Sequence, residues 1–454
     1  MPGRGMNSVR KCLILAAGRG SRLGRKGVPK PLLPLLGLPL LERVILTAAR
    51  AGLDDFIIVT GFEGDRVRRF LDGLAARRGI QIRYVVNEEW EAGNGLSVSA
   101  ARDEIKEEPF VLLMADHLVD ERLLEELHAE PLELGTVRLA VDSNTRNPLL
   151  DLDDATKVEL EDGRVRAIGK ELEVYNAFDT GCFVCSSSLF SALERARVQT
   201  DDTTLSGAIR LLAEEGKVHT FDIGDAFWID VDDSHAVKRA ETALLGRLRK
   251  STDGPVSRHL NRPLSARITR YLVQSPVTPN QISSFCFALS AVAAGFFALG
   301  GYLALALGGL LAQLASVVDG CDGEVARLKF RESAYGGWFD AVLDRYADAF
   351  LLLGLTWHVF SGAGSGAVVV VGFLAVIGSF TVSYTADKYD SLMKLRFERG
   401  QPKGIRIGRD LRVLMISLGA VLNLPFLTLS FIAGIMNAET VRRIVVARRG
   451  ELAA

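Results

Sequence analysis

What most constrains this chain is a change of regime close to residue 255. Before it, short apolar runs alternate with charged, helix-like stretches. After it come six long apolar runs, at 282–300, 302–318, 339–360, 367–384, 411–422 and 424–435. Residues 361–380 carry no charged side chain, whereas 121–133 are rich in acids. A helix needs about 20 residues to cross ~30 Å of hydrocarbon, and several runs reach that only if polar residues at one end are included. At 454 residues the chain is about three times the usual domain size. The expectation is an α/β, Rossmann-like domain over 1–240, a linker over 241–255, and an all-α, six-helix transmembrane domain over 256–454.

Basic residues set the expected orientation. Eight Lys and Arg lie between Lys388 and Arg412, and others (Arg327, Lys329, Arg331, Arg442, Arg443) fall on the same side of a six-span plan. The turns at 299–302, 361–367 and 423–425 are uncharged. Basic loops stay in the cytoplasm, so a multi-pass cell-membrane protein with both termini inside is expected. The run 13–17 breaks at Gly18-Arg19-Gly20, unlike an export signal, which keeps the N-terminal half cytoplasmic.

Overall charge is balanced, 54 Lys+Arg against 55 Asp+Glu, which argues against a nucleic-acid partner. Five scattered cysteines make no disulfide framework, and Cys182-x-x-Cys185 lies in a strand-like run without a second pair; these read as small core residues. Strands are expected at 12–17, 56–60, 82–86 and 110–114, with helices between them. That alternation implies a parallel sheet covered on both faces. A β-rich insertion is expected over 138–185, around the turn Asp162-Gly163.

The first strand runs into Ala16-Ala17-Gly18-Arg19-Gly20-Ser21-Arg22, and Pro29-Lys30-Pro31 follows. Glycines at a strand's carboxyl end let backbone N–H groups approach a polyphosphate. Arg22 as a fork and Lys30 as a point charge would neutralise its oxygens. With these residues, 12–235 resemble the sugar-nucleotide pyrophosphorylase and cytidylyltransferase superfamily, which joins a nucleoside triphosphate to a phosphorylated alcohol. The resemblance implies nucleotide contacts from Ala16, Ala17, Gly18 and Gly20, and a Mg²⁺ site formed by Asp116 and Asp230, with Asp232 an open alternative to the latter. It places Asn87, Gly93 and Asn94 near the base, where a turn and helix cap would explain them equally well. Lys170 would contact the acceptor phosphate or be a surface lysine.

The second constellation is Asp319-Gly-Cys-Asp322-Gly323-Glu-Val-Ala326-Arg327, then Gly336 and Asp340-Ala-Val-Leu-Asp344. On helices, each Asp pair projects from one face. Four unneutralised carboxylates beside apolar spans would repel one another and resist insertion. A divalent ion with oxygen ligands, Mg²⁺ or Mn²⁺, removes both problems. The pattern D-x-x-D-G-x-x-A-R-x(8)-G-x(3)-D-x(3)-D resembles the CDP-alcohol phosphotransferases over roughly 256–445. That resemblance implies metal binding by Asp319, Asp322 and Asp340, with Asp344 close to the metal as general base. Gly323 would make room for the nucleotide, and Arg327 would face phosphate or tie helices together. Arg409 and Arg412, with Arg406, would bind an anionic acceptor or anchor the cytoplasmic face.

Together the halves resemble the bifunctional inositol-1-phosphate cytidylyltransferase and di-myo-inositol phosphate phosphate synthase family. The implied substrates are CTP and inositol-1-phosphate, with CDP-inositol as intermediate and a homodimer through the spans. A fused enzyme using another CDP-polyol, or making a phospholipid head group, is the competing reading.

Overall fold

A computed structural model describes residues 9–20, 27–249, 254–393 and 408–452. The chain divides into two compact units, Met1–Ala243 and Leu244–Ala454.

In the first unit a nine-stranded sheet is built from β1 (Lys11–Ala16), β2 (Asp55–Thr60), β3 (Gln81–Val86), β4 (Phe110–Met114), β6 (Val137–Asp142), β7 (Lys157–Glu161), β8 (Arg164–Gly169), β9 (Ala177–Cys185) and β10 (Val218–Asp222). A separate two-stranded antiparallel sheet pairs β5 (His117–Val119) with β11 (Trp228–Asp230). The sheet order is β3-β2-β1-β4-β9-β6-β10-β8-β7. β1 to β4 are parallel, as the alternation of strands and helices predicts. α1 (Leu40–Arg50) shows why these connections form: Leu41, Val44, Ile45 and Ala48 recur at helical spacing and are all buried.

The sheet departs from expectation beyond β4. β9 runs antiparallel to β4 and to β6, so the sheet is mixed. The strands expected to form an insertion belong to this same sheet. A hairpin turning at Asp162 and Gly163, both at positive φ, pairs β7 with β8 at its edge. Alternating apolar residues could not distinguish an appended hairpin from an extension of the main sheet, because both bury one face. Cys12, Cys182 and Cys185 are buried core residues. Strand order reverses between β1 and β4, and their carboxyl ends open the crevice where α/β sheets bind ligands.

The second unit is helical. α2 (Arg262–Leu272) precedes α3 (Pro279–Ala298), α4 (Tyr302–Leu328), α5 (Ala334–Ala363), α6 (Gly366–Met393), α7 (Arg409–Val421) and α8 (Pro425–Leu452). A capping box starts α3: Thr278 Oγ1 accepts from the Gln281 N–H, while the Gln281 side chain accepts from the Thr278 N–H, and Pro279 holds the first turn. One apolar cluster draws on all six helices from α3 to α8, including Phe297, Leu305, Leu351, Val382, Val413 and Ile432. Helices approach closely at small residues: a Cβ on Gly309 would lie 2.8 Å from the Cβ of Ala420.

Helices occupy all six apolar runs, but among the described residues three are long and apolar enough to cross a membrane: Pro279–Ala298, Tyr302–Leu328 and Gly366–Ala386. Charge explains two of the others. α5 carries Asp340, Asp344, Arg345 and Asp348 in its first half, and α8 carries Glu439, Arg442 and Arg443 in its second. α7 has 13 residues, a length of only ~20 Å.

Candidate active sites

Four segments converge at the β1–β4 crevice. After β1, Gly20 adopts φ +66°, and a Cβ there would fall 2.5 Å from the Cβ of Lys30. A side chain at position 20 would therefore be strained and would displace the lysine. Lys30 begins a short 3-10 turn behind Pro29, and its Nζ reaches Asp116 Oδ2 at 2.5 Å and Asp230 Oδ1 at 3.9 Å. Asp116 follows β4, and the β5–β11 register sets Asp230 opposite His117. Trp228 anchors β11 by donating Nε1–H to Asp142 at 2.7 Å.

His117 Nδ1 is 2.8 Å from the Thr180 carbonyl, which can only accept, so that nitrogen carries a proton. Its Nε2 lies 3.5 Å from Asp230 Oδ2. Burial opposes charge on this imidazole, but Asp230 and then Asp116 outweigh it and push its pKa up to about 10. Burial works against the Asp230 carboxylate as well; His117 and Lys30 prevail and hold it at about 2. Lys30 is likewise kept above its ordinary value by Asp116 and Asp230 in spite of burial. Asp232 is pushed up to about 6 by burial, by a hydrogen bond with Asp154 and by the Asp230 charge.

This donor set fits a hard cation. Asp154, Asp230 and Asp232 each offer an oxygen within 4.8 Å of the others, and Asp116 and Asp230 meet beside His117, which as an imidazolium serves there as a counter-ion and not as a ligand. Asp230 Oδ1 is buried and accepts no hydrogen bond among the described residues, which a bound cation would remedy. The adjoining cleft, about 370 Å³, is lined by Gly18, Asn94, Asp154, Lys170, Asp230 and Asp232 among others. Lys170 points to Asp154 at 2.6 Å. Asn87 does not line the cleft: its Nδ2 donates to Ser97 Oγ at 2.9 Å and its Oδ1 accepts from the Glu89 N–H, a turn-forming arrangement. Gly93 caps the helix Asn94–Ala100, and its N–H donates to Thr203 Oγ1 at 3.1 Å. Arg22 and Arg406 lie outside the described residues.

The second site lies where α4, α5 and α7 meet. Asp319, Asp340 and Asp344 each present an oxygen within 4.8 Å of the others. Asp322, one turn along α4, accepts from Ser283 Oγ at 2.5 Å. Arg409 enters from α7: Nη1 donates to Asp319 at 2.8 Å and lies 2.7 Å from Asp344, and Nε lies 3.2 Å from Asp348. Arg412 donates to Asp348 at 2.7 Å. Both guanidiniums thus face carboxylates inside the bundle, and Arg412 is only 3% exposed. The five aspartates outnumber these two arginines, so a divalent cation suits the local charge as well as the oxygen donors. Arg327 folds back along α4, its Nη1 3.3 Å from where a Cβ on Gly323 would lie, and its Nη2 donates to the Leu248 carbonyl at 3.2 Å.

The MobA-like NTP transferase domain family matches residues 12–215, and the CDP-alcohol phosphatidyltransferase family matches 276–447. A protein of Rubrobacter xylanophilus named "Bifunctional IPC transferase and DIPP synthase" is 40% identical over 445 residues, covering 96% of each chain. The chain belongs to that family. A member from Aquifex aeolicus, bearing the same name, is 35% identical and covers 91% of this chain and 92% of its own. The solved inositol-1-phosphate CTP transferase of T. maritima is 27% identical, covers 52% of this chain and 96% of its own, and superposes with a TM-score of 0.46. Like its family, this chain is a bifunctional enzyme, with a nucleotidyltransferase half and a CDP-alcohol phosphotransferase half.

Several site residues escape a reading by motif. Asp348 continues the row of Asp340 and Asp344 by one more turn, and its position inside an apolar run was a usable signal. His117 adjoins Asp116, but its link to Asp230 depends on the β5–β11 pairing. Asp154 reaches the crevice on an irregular segment with no spacing to betray it.

Proposed function

We propose that the two halves act in sequence on one intermediate. In the first, the phosphate of inositol-1-phosphate attacks the α-phosphorus of CTP; the bond to the β-phosphate breaks and pyrophosphate leaves, giving CDP-inositol. In the second, a hydroxyl of another inositol-1-phosphate attacks the inositol-bearing phosphorus of CDP-inositol. CMP leaves, and the product is di-myo-inositol phosphate phosphate.

In the first site the turn Ala16–Gly20 gives backbone donors to the triphosphate, with Arg22 and Lys30 neutralising charge. Asp116 and Asp230 hold Mg²⁺, and Lys170 meets the acceptor phosphate. Asn87, Gly93 and Asn94 shape the base side through the turn and helix they build. The substrate phosphate is itself the nucleophile, so alignment and charge neutralisation suffice. In the second site Asp319, Asp322, Asp340 and Asp344 hold Mg²⁺ or Mn²⁺, which polarises the phosphoryl oxygens when bound. Asp344 takes the proton of the attacking hydroxyl as it adds to phosphorus. Gly323 and Arg327 border the nucleotide, and Arg409 favours an anionic acceptor, while Arg412, buried against Asp348, supports it from behind.

The observation that carries this reading is the presence of both constellations, each able to accept a cation, in a chain that matches its bifunctional relatives along almost its whole length. The six helices sharing one core support a six-span bundle in the cell membrane, and the basic residues beside the apolar runs support cytoplasmic termini and sites. The catalytic halves occupy 1–240 and 256–454, joined by 241–255, and the protein acts as a homodimer through its spans. Incubation with CTP and labelled inositol-1-phosphate tests the scheme. A water-soluble phosphodiester is expected; label in a chloroform-soluble product would support the phospholipid alternative instead.

A further inference from the structure

Within the second motif lies an acid that the reaction scheme does not use. Glu324 is fully buried, where an unpaired carboxylate would be very costly. Three donors reach it, all from α2. Arg262 Nη1 and Ser265 Oγ donate to Oε1 at 2.8 and 2.7 Å, and Thr269 Oγ1 donates to Oε2 at 2.6 Å. Positions 262, 265 and 269 share one helical face. Arg262 also reaches the Gly320 carbonyl at 3.4 Å. One acid therefore clamps α2 onto the turn of α4 that bears Asp319 and Asp322.

The clamp orders one wall of a cavity of about 160 Å³ beside the carboxylates. Asn261, Arg262 and Ser265 form that wall, facing Asp319, Asp344 and Arg409. Asn261 is fixed in turn, donating to Ser316 Oγ at 3.2 Å and accepting from Gln313 at 3.0 Å. It closes a π-helical turn, Ser257–Asn261, a rare conformation that is frequent at functional sites. Asp322, Gly323 and Asp340 do not line this cavity. It opens instead on Asp344, the group assigned to the acceptor's hydroxyl.

We infer that Glu324 is a positioning residue for the second transfer. By pinning α2, it holds Asn261 and Arg262 as the surface against which an acceptor polyol phosphate is bound. This rests on the role proposed above for Asp344. The guanidinium suits a phosphate and the amide and hydroxyls suit a polyol, so the clamp governs acceptor binding rather than binding of the CDP-alcohol.

The test measures CMP release by the full chain in detergent, varying CDP-inositol and inositol-1-phosphate separately. Thr269→Val removes one donor at little change in volume, and Thr269 does not line the cavity. It should raise KM for the acceptor by about three- to tenfold, because only part of the lost bond to the charged group is felt at the cavity wall. KM for CDP-inositol should stay within about twofold and kcat should change little. Thr269→Ser should restore the acceptor KM. Glu324→Gln should move it further in the same direction, and Thr269→Val keeps the test decisive if that variant does not fold. An unmoved acceptor KM, an equal rise in both KM values, or no rescue by serine would overturn the clamp alone. If the unmodified chain releases no CMP from this substrate pair, the functional reading falls and the clamp with it.

Discussion

In the N-terminal unit the acids stand at strand ends and are brought level by a sheet; in the C-terminal unit they stand in rows on two helices. The difference appears in how each cluster is neutralised. At the crevice Lys30 and His117 balance Asp116 and Asp230, and the group opens on a cleft of about 370 Å³. In the bundle, Arg409 lies between Asp319, Asp344 and Asp348, and Arg412 holds Asp348 from the other side. Water in the cleft can reach a charge stranded at the strand ends, whereas a charge stranded among packed helices stays desolvated, and there five aspartates already exceed two arginines. The helical site should therefore couple catalysis to stability, and the crevice site should not.

Substitutions can break or sharpen that contrast. The largest effect is expected from Asp344→Asn, which should slow CMP release by about 10³-fold or more by removing the base and a metal ligand. Assays supplied with CDP-inositol read this directly. Lys30→Ala should cut pyrophosphate release by about 10²-fold while CMP release from supplied CDP-inositol continues and the unfolding midpoint hardly shifts. Asp348→Ala should destabilise the bundle by about 3–5 kcal/mol, because it strands Arg412 and one side of Arg409; thermal unfolding in detergent measures it. An unchanged midpoint would remove the claimed coupling. The smallest effect belongs to Gly20→Ala, which should raise KM for CTP by about tenfold through strain at positive φ and displacement of Lys30.

The contrast also explains what could be read from the sequence. Helical rows are local: Asp319 with Asp322, and Asp340 with Asp344, declare a shared face by spacing alone. The counter-ion Arg409, 90 positions from Asp319, sat in a basic stretch that anchoring to the cytoplasmic face explained equally well. At the crevice, the glycine turn and Lys30 were legible because a strand, a tight loop and a cation recur close together. The link from Asp230 to His117 was not, since it requires the register of an antiparallel pairing between strands far apart in the chain. The mixed sheet was hidden for the same reason: alternation tells which face is buried and is silent on strand direction. Glu324 passed unnoticed because its partners lie on a helix that precedes the first apolar run.

The most direct measurement follows pyrophosphate and CMP together in Asp322→Ala protein given CTP and inositol-1-phosphate. Pyrophosphate release should proceed at the unmodified rate while CDP-inositol accumulates and CMP is absent. Loss of both products from a folded protein, or CMP release at the unmodified rate, would contradict two separate sites acting in sequence.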